Sequence, residues 1–165
     1  MKNLLVMRHA KSDWGKNLPD IERPLNKRGK KAAPLMGEEL MKQNKTPDLI
    51  LSSPAKRAVS TAKRVIEAID YQKELVIVKD FYFGYMEHII NTIKKIDNEN
   101  NIIMIVGHNP LWEDLVVELS NESSFITMPT AAIASLVCET DDWRMIKEHS
   151  GKLEWIITPK GLKEK

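Results

Sequence analysis

Four side chains able to handle an anion stand in three short segments of the 165-residue chain: Arg8-His9, Arg57 and Gly107-His108. A neutral imidazole is a competent nucleophile near pH 7, because its unperturbed pKa is about 6.5. Guanidinium forks match phosphate oxygens two at a time. Two histidines and two arginines in one place would therefore suit phosphoryl chemistry, with fixed cations balancing charge on the oxygens. Singly, each has a plainer role. His9 reads as a structural histidine, Arg8 as a surface charge, Arg57 as a solvated helix residue, Ser53 as a helix cap and Gly107 as a turn residue. Only joint placement makes a site, so the surrounding elements decide the matter.

Leu4 to Met7 is a short continuous apolar run, the pattern of a buried strand, and Arg8-His9 follows it directly. Residues 8–26 are polar, with Gly15, Pro19 and Pro24, and form a long loop of the kind that often carries function. Residues 27–44 have helical spacing. Asp48 to Leu51 is a second strand, followed by Ser52-Ser53. Ser53-Pro54 then reads as a cap and first helical residue. The helix it opens has an apolar face through Ala55, Ala58, Val59, Ala62, Val65, Ile66 and Ile69, with Arg57 in its first turn.

Leu75 to Val78 is a brief strand and residues 86–97 a helix. Ile102 to Val106 is a buried strand leading into Gly107-His108. Asn109-Pro110 repeats the cap-and-proline pattern before Leu111, Leu115, Val116 and Leu119. Ala131 to Cys138 is a buried strand, Asp141-Asp142 a turn, and residues 143–148 and 153–157 alternate as edge strands do. Strands alternating with helices predict an α/β fold: a mostly parallel central sheet with helices on both faces. In such sheets ligands bind beyond the carboxyl ends of the strands. All four candidate residues lie there, beside two helix N-termini that favour anions. The expected rim is a phosphate site.

Composition limits the alternatives. With 42% apolar and 29% charged residues, the chain reads as one ordinary globular domain over residues 1–165, with no linker or repeat. No apolar stretch approaches a membrane span, and the opening Met1 to Met7 is too short for a signal peptide. The single cysteine, Cys138, can form no internal disulfide, which suits a reducing cytoplasm. His9, His88, His108 and His149 show no close pairing, so neither a metal nor another cofactor is expected. Net charge is +2 but uneven: residues 1–66 carry 15 Lys/Arg against 6 Asp/Glu, and the rest 10 against 17. That surplus reads as solvated helix faces or an anion pocket. It lacks the interleaved aromatics and total charge of a nucleic-acid footprint.

The same residues resemble a known pattern. Leu5-Val6-Met7-Arg8-His9-Ala10, Leu51-Ser52-Ser53-Pro54-Ala55-Lys56-Arg57-Ala58-Val59-Ser60-Thr61-Ala62 and Val106-Gly107-His108-Asn109-Pro110 are similar to the three ordered motifs of the histidine phosphatase (phosphoglycerate mutase-like) superfamily. Within it, Arg8 to Trp14, Glu22 to Gly29 and Met128 to Ala132 look like the SixA-type phosphohistidine phosphatases, as does a length with no room for a helical lid. The resemblance spans about residues 3–138. It implies His9 as nucleophile, with Arg8, Arg57 and His108 around the phosphoryl oxygens. Two positions depart from relatives: Ala10 replaces a usual Gly, and Asn109 stands where the acid-phosphatase branch has an acid. Asp80, four residues before Gly84, is a candidate general acid by analogy with mutase-like relatives, and equally a solvated loop carboxylate. Trp14, Arg23 and Thr130 are candidates for the substrate rim.

Metal-free hydrolysis through phospho-His9 follows from these roles. A site with a doubtful acid suits P–N cleavage, since a phosphohistidine imidazole leaves easily once protonated whereas an alkoxide needs an acid. The expected substrate is phosphohistidine in a protein, for instance a histidine-phosphorylated signalling or transfer protein. Two other readings remain: a phosphomonoesterase for small-molecule or phosphoprotein esters, and a non-catalytic phosphate-binding module. Neither nucleic acid nor membrane is an expected partner.

Overall fold

The computed structural model describes residues 1–122 and 125–164. Six strands form one sheet: β1 (Lys2–Arg8), β2 (Leu49–Ser52), β3 (Val76–Ile77), β4 (Ile102–Gly107), β5 (Ile133–Cys138) and β6 (Gly151–Ile157). Their order is β3-β2-β4-β1-β5-β6. The first four in that order run parallel, and β5 and β6 are antiparallel additions at one side. β1 is flanked on both sides, which is why its middle reads as an uninterrupted apolar run.

Helices α1 (Lys27–Lys42), α2 (Lys56–Ile69), α3 (Met86–Lys94), α4 (Leu111–Leu119) and α5 (Pro159–Lys163) cover the faces. Side chains alternate across a strand. Leu4 and Val6 accordingly enter a core with Ile89 and Ile93 of α3 and Trp112 and Leu115 of α4. Leu5 and Met7 enter the opposite core with Met36 and Leu40 of α1 and Ala58, Ala62 and Val65 of α2. Helix α5 packs its Leu162 on this second core.

Three local expectations are corrected. Residues 143–148 hold no strand: Trp143–Met145 is a short 3-10 turn, because the Trp143 indole turns inward and donates to the Asn100 carbonyl at 2.7 Å. Helix α2 starts at Lys56 rather than Pro54, with Ala55 as its cap residue. Helix α4 starts at Leu111 without a side-chain cap: the Asn109 amide nitrogen donates to Glu113 Oε1 and the Met128 carbonyl, which turns Oδ1, the atom a cap would use, to a buried position without a partner.

Candidate active site

β2, β4 and β1 are adjacent and parallel, so their carboxyl ends share one rim. Arg8 ends β1 and His9 follows, Ser52 ends β2 ahead of Ser53, and Gly107 ends β4 ahead of His108. Arg57 comes from the first turn of α2. All four candidate residues line a cavity of about 250 Å³, together with Trp14, Asp20, Arg23 and Thr130. Gly107 is required where it stands: a Cβ there would clash with the indole ring of Trp112, which is fully buried beneath the site.

His9 is buried, and its Nδ1 lies 2.8 Å from the carbonyl of its neighbour Ala10. Nδ1 must donate in that bond, which leaves Nε2 with the lone pair. Burial pushes the ring down to about 4, and Arg57, Arg8 and Arg23 push the same way against the opposing Ala10 bond. At neutral pH the ring is therefore uncharged, with a free lone pair on Nε2. Thr61 braces this arrangement: its hydroxyl accepts from the Ala10 amide at 2.9 Å and donates to the Arg57 carbonyl at 2.7 Å.

His108 faces His9 with ring centroids 5.1 Å apart. Its Nδ1 lies 3.4 Å from an Arg57 terminal nitrogen, which can only donate, so Nε2 carries the proton and donates to Ser53 Oγ at 2.8 Å. Ser53 thus holds His108, and its Oγ also accepts from the Ala55 amide at 3.2 Å just ahead of α2. Burial first, then His9 and Arg57, hold His108 down at about 3.

The arginines are held from behind and left open in front. Arg8 donates to the Met128 carbonyl at 3.1 Å, and Arg57 donates to the Asp20 carbonyl at 2.8 Å and Asp20 Oδ2 at 3.1 Å. The Nε of each is buried without a partner. Four cations, Arg8, Lys11, Arg23 and Arg57, line the cavity against one carboxylate, Asp20, a balance that favours an anion.

Asp80 does not line the cavity. Its half-exposed carboxylate lies 3.8 Å from His88 Nδ1. The acidic residue at the rim is instead Asp20, from a short turn at Asp20–Glu22 in the long loop. Asp20 accepts from Tyr82 at 2.6 Å, from Arg23 at 3.1 Å and from Arg57. The Tyr82 bond, with those of Arg23 and Arg57, holds its carboxyl down at about 2, against burial. Arg23 also donates to Ser12 Oγ at 2.8 Å and carries the exposed Trp14 ring 3.4 Å from its guanidinium carbon, a cation–π pair at the mouth.

Residues 4–98 match the model of the histidine phosphatase superfamily (branch 1), more than half of the chain and with two of the three motifs inside the match. The chain belongs to this superfamily. An uncharacterised chloroplastic protein of Arabidopsis thaliana is 31% identical over 96% of this chain and 78% of its own length. The phosphohistidine phosphatase SixA homologue of Haemophilus influenzae is 31% identical over 82% of this chain and 87% of its own. The solved structure of the protein histidine phosphatase SixA complexed with tungstate superposes with a TM-score of 0.85, covering 97% of this chain and 99% of that one at 24% identity. The sheet and helices described above are this phosphoglycerate mutase-like fold.

For this histidine phosphatase chain, sequence reasoning missed Asp20, Tyr82 and Thr61. Asp20 and Tyr82 sit 62 residues apart with no shared spacing, and only the folded loop joins them. Thr61 was detectable, since it lies four residues after Arg57 on one helix face. Among the described residues no group of three or more His, Cys, Asp or Glu could hold a metal ion, and no helix is long and apolar enough to cross a membrane.

Proposed function

We propose that this histidine phosphatase removes phosphate from phosphohistidine in a protein substrate through a phospho-His9 intermediate, without a metal. His9 Nε2 attacks phosphorus in line, the new N–P bond forms, and the P–N bond of the substrate breaks. Arg8 and Arg57 take up charge on the phosphoryl oxygens in place of a metal ion, with His108 completing the pocket. The departing imidazole takes its proton from water at the open mouth. Water then attacks the phosphorus of phospho-His9, the Nε2–P bond breaks, and inorganic phosphate leaves with His9 neutral again.

The observation that carries this reading is that, among the described residues, no carboxylic acid lining the anion site holds a proton at neutral pH. The carboxylate that lines the cavity, Asp20, is held ionised near pH 2 by Tyr82 and two arginines, so it offers no proton to a leaving group at neutral pH. An alkoxide needs such a proton, whereas a phosphohistidine imidazole, with a pKa near neutrality, takes one from solvent. The cavity is also open, which admits a side chain on a protein surface.

Turnover of a phosphohistidine substrate and of p-nitrophenyl phosphate, in EDTA, for wild type and His9→Ala, tests the proposal. Phosphohistidine cleavage that survives EDTA and disappears in His9→Ala is the expected result. Comparable turnover of unactivated alkyl phosphates would replace it with a general phosphomonoesterase. A wild-type protein inert on all substrates would leave a phosphate-binding module.

A further inference from the structure

Beside the catalytic cavity lies a second cleft, of about 320 Å³, formed where α5 meets the first turn of α1 and the segment before β5. Lys11 and Thr130 line both spaces, so the two adjoin. Arg28, Lys160 and Lys163 add three more cations to the cleft, and no carboxylate lines it. Among the described residues, none of Lys11, Arg28, Lys160 and Lys163 makes an ion pair. Close approach of the backbones builds this corner: a Cβ on Gly29 would overlap the Lys11 carbonyl, so Gly29 lets α1 lie directly against Lys11 and sets Arg28 beside it.

Four cations within one cleft repel one another, and among the described residues no ion pair relieves that repulsion. The missing negative charge is most economically supplied by what binds. Resting on the phosphohistidine phosphatase reading above, we propose that this cleft is a second anion subsite: it takes an acidic side chain flanking the phosphohistidine on the protein substrate. The exposure of the four cations argues for a side chain on a protein rather than a compact small molecule. Their tips are exposed and unanchored, so they adapt to a carboxylate at variable reach, whereas a tight small-ligand site needs groups fixed in advance. Another groove adjoins the catalytic cavity through Phe83, His108 and Asn109, and its lining includes the exposed ring of Phe83, Pro110, Leu111 and Asp114. The basic cleft and this more apolar groove meet the cavity through different residues, and the subsite sets which way round the substrate surface docks. A separate basic groove between α1 and α2, lined by Lys30, Lys63 and Arg64, shares no residue with the catalytic cavity and includes Glu67.

The test uses Arg28→Glu/Lys160→Glu/Lys163→Glu, three positions outside the catalytic cavity, against wild type. Substrates are free phosphohistidine and two phosphohistidine peptides, one with Asp and Glu beside the modified residue and one with Ala there. Wild type is expected to favour the acidic peptide by about tenfold in kcat/KM, through KM, on the scale of one or two charge contacts. The variant should lose that preference while its kcat on free phosphohistidine stays unchanged, and Arg28→Lys should keep it. Equal kcat/KM on the two peptides in wild type, or a preference that survives in the variant, overturns the subsite. A fall on free phosphohistidine as well would mean a damaged fold rather than a lost subsite, and would also overturn it. The same peptide pair carrying phosphotyrosine separates the two proposals. If no phosphohistidine substrate turns over but acidic flanks still favour the ester, the subsite stands and the phosphohistidine reading falls.

Discussion

Lowering the pH should leave the nucleophile untouched far below the point at which an ordinary histidine fails. Burial, aided by Arg57, Arg8 and Arg23, holds His9 at about 4, and burial with His9 and Arg57 holds His108 at about 3. An unperturbed imidazole at about 6.5 would be roughly 90% protonated at pH 5.5. A ring at about 4 would be only about 3% protonated there. Because kcat/KM reports the free enzyme, it should stay within about twofold between pH 7.5 and 5.5, after correction for substrate ionisation, and fall toward pH 4. The ring itself can be watched: NMR of the His9 Cε1–H resonance, assigned with His9→Asn, should show no titration step above about pH 5. A step centred near 6.5, or an acid limb of kcat/KM there, would refute the claim that His9 is kept neutral by burial among cations. Arg57→Gln should move both rings upward, since Arg57 acts on each in the same direction.

Other consequences can be measured alongside. Loss of one oxyanion donor, in Arg8→Ala or Arg57→Ala, should lower kcat by about 10²–10³ in steady-state assays with the fold retained by circular dichroism. Asp20→Asn should keep phosphohistidine kcat within about threefold if the leaving imidazole takes its proton from solvent; an arginine-sized loss that is confined to kcat and spares substrates with activated leaving groups would contradict that reading. Gly107→Ala should destabilise the protein by about 1–3 kcal/mol through overpacking against Trp112, seen as a lower thermal midpoint. Both buried histidines bind protons more weakly in the fold than in the unfolded chain. Their contribution is full above about pH 6.5 and is lost as the pH falls toward about 4, where the unfolded chain takes up protons that the fold excludes. Urea unfolding at pH 7 and pH 5 should show this, and His108→Asn should reduce the difference.

Much of the scaffold was legible because its signals are local and periodic. The run Leu4 to Met7 marks β1 and the spacing of Ala58, Ala62, Val65 and Ile69 marks the buried face of α2. The four central site residues follow from where those elements end. The region 143–148 misled because alternation on the surface looks like an edge strand, whereas the buried indole of Trp143 fixes a turn. Ser53 and Asn109 carry side chains that could cap a helix, but each has a stronger partner in three dimensions: His108 for Ser53, and Glu113 and Met128 for Asn109. Asp80 was favoured by an offset along the chain. Asp20 takes the cavity position instead because the long loop folds back over α2, a contact between distant residues that no spacing reveals.

The central claim is covalent: the phosphoryl group passes through His9 Nε2. Mixing the protein with excess phosphohistidine substrate, quenching rapidly in alkali, where phosphoramidates persist, and reading the peptide that contains His9 by mass spectrometry tests it directly. The account expects one added phosphoryl group on His9, formed and lost at rates compatible with turnover, and absent from His9→Ala. Steady turnover with no phosphoryl group on His9 at any quench time, or with the group on another residue, would contradict it.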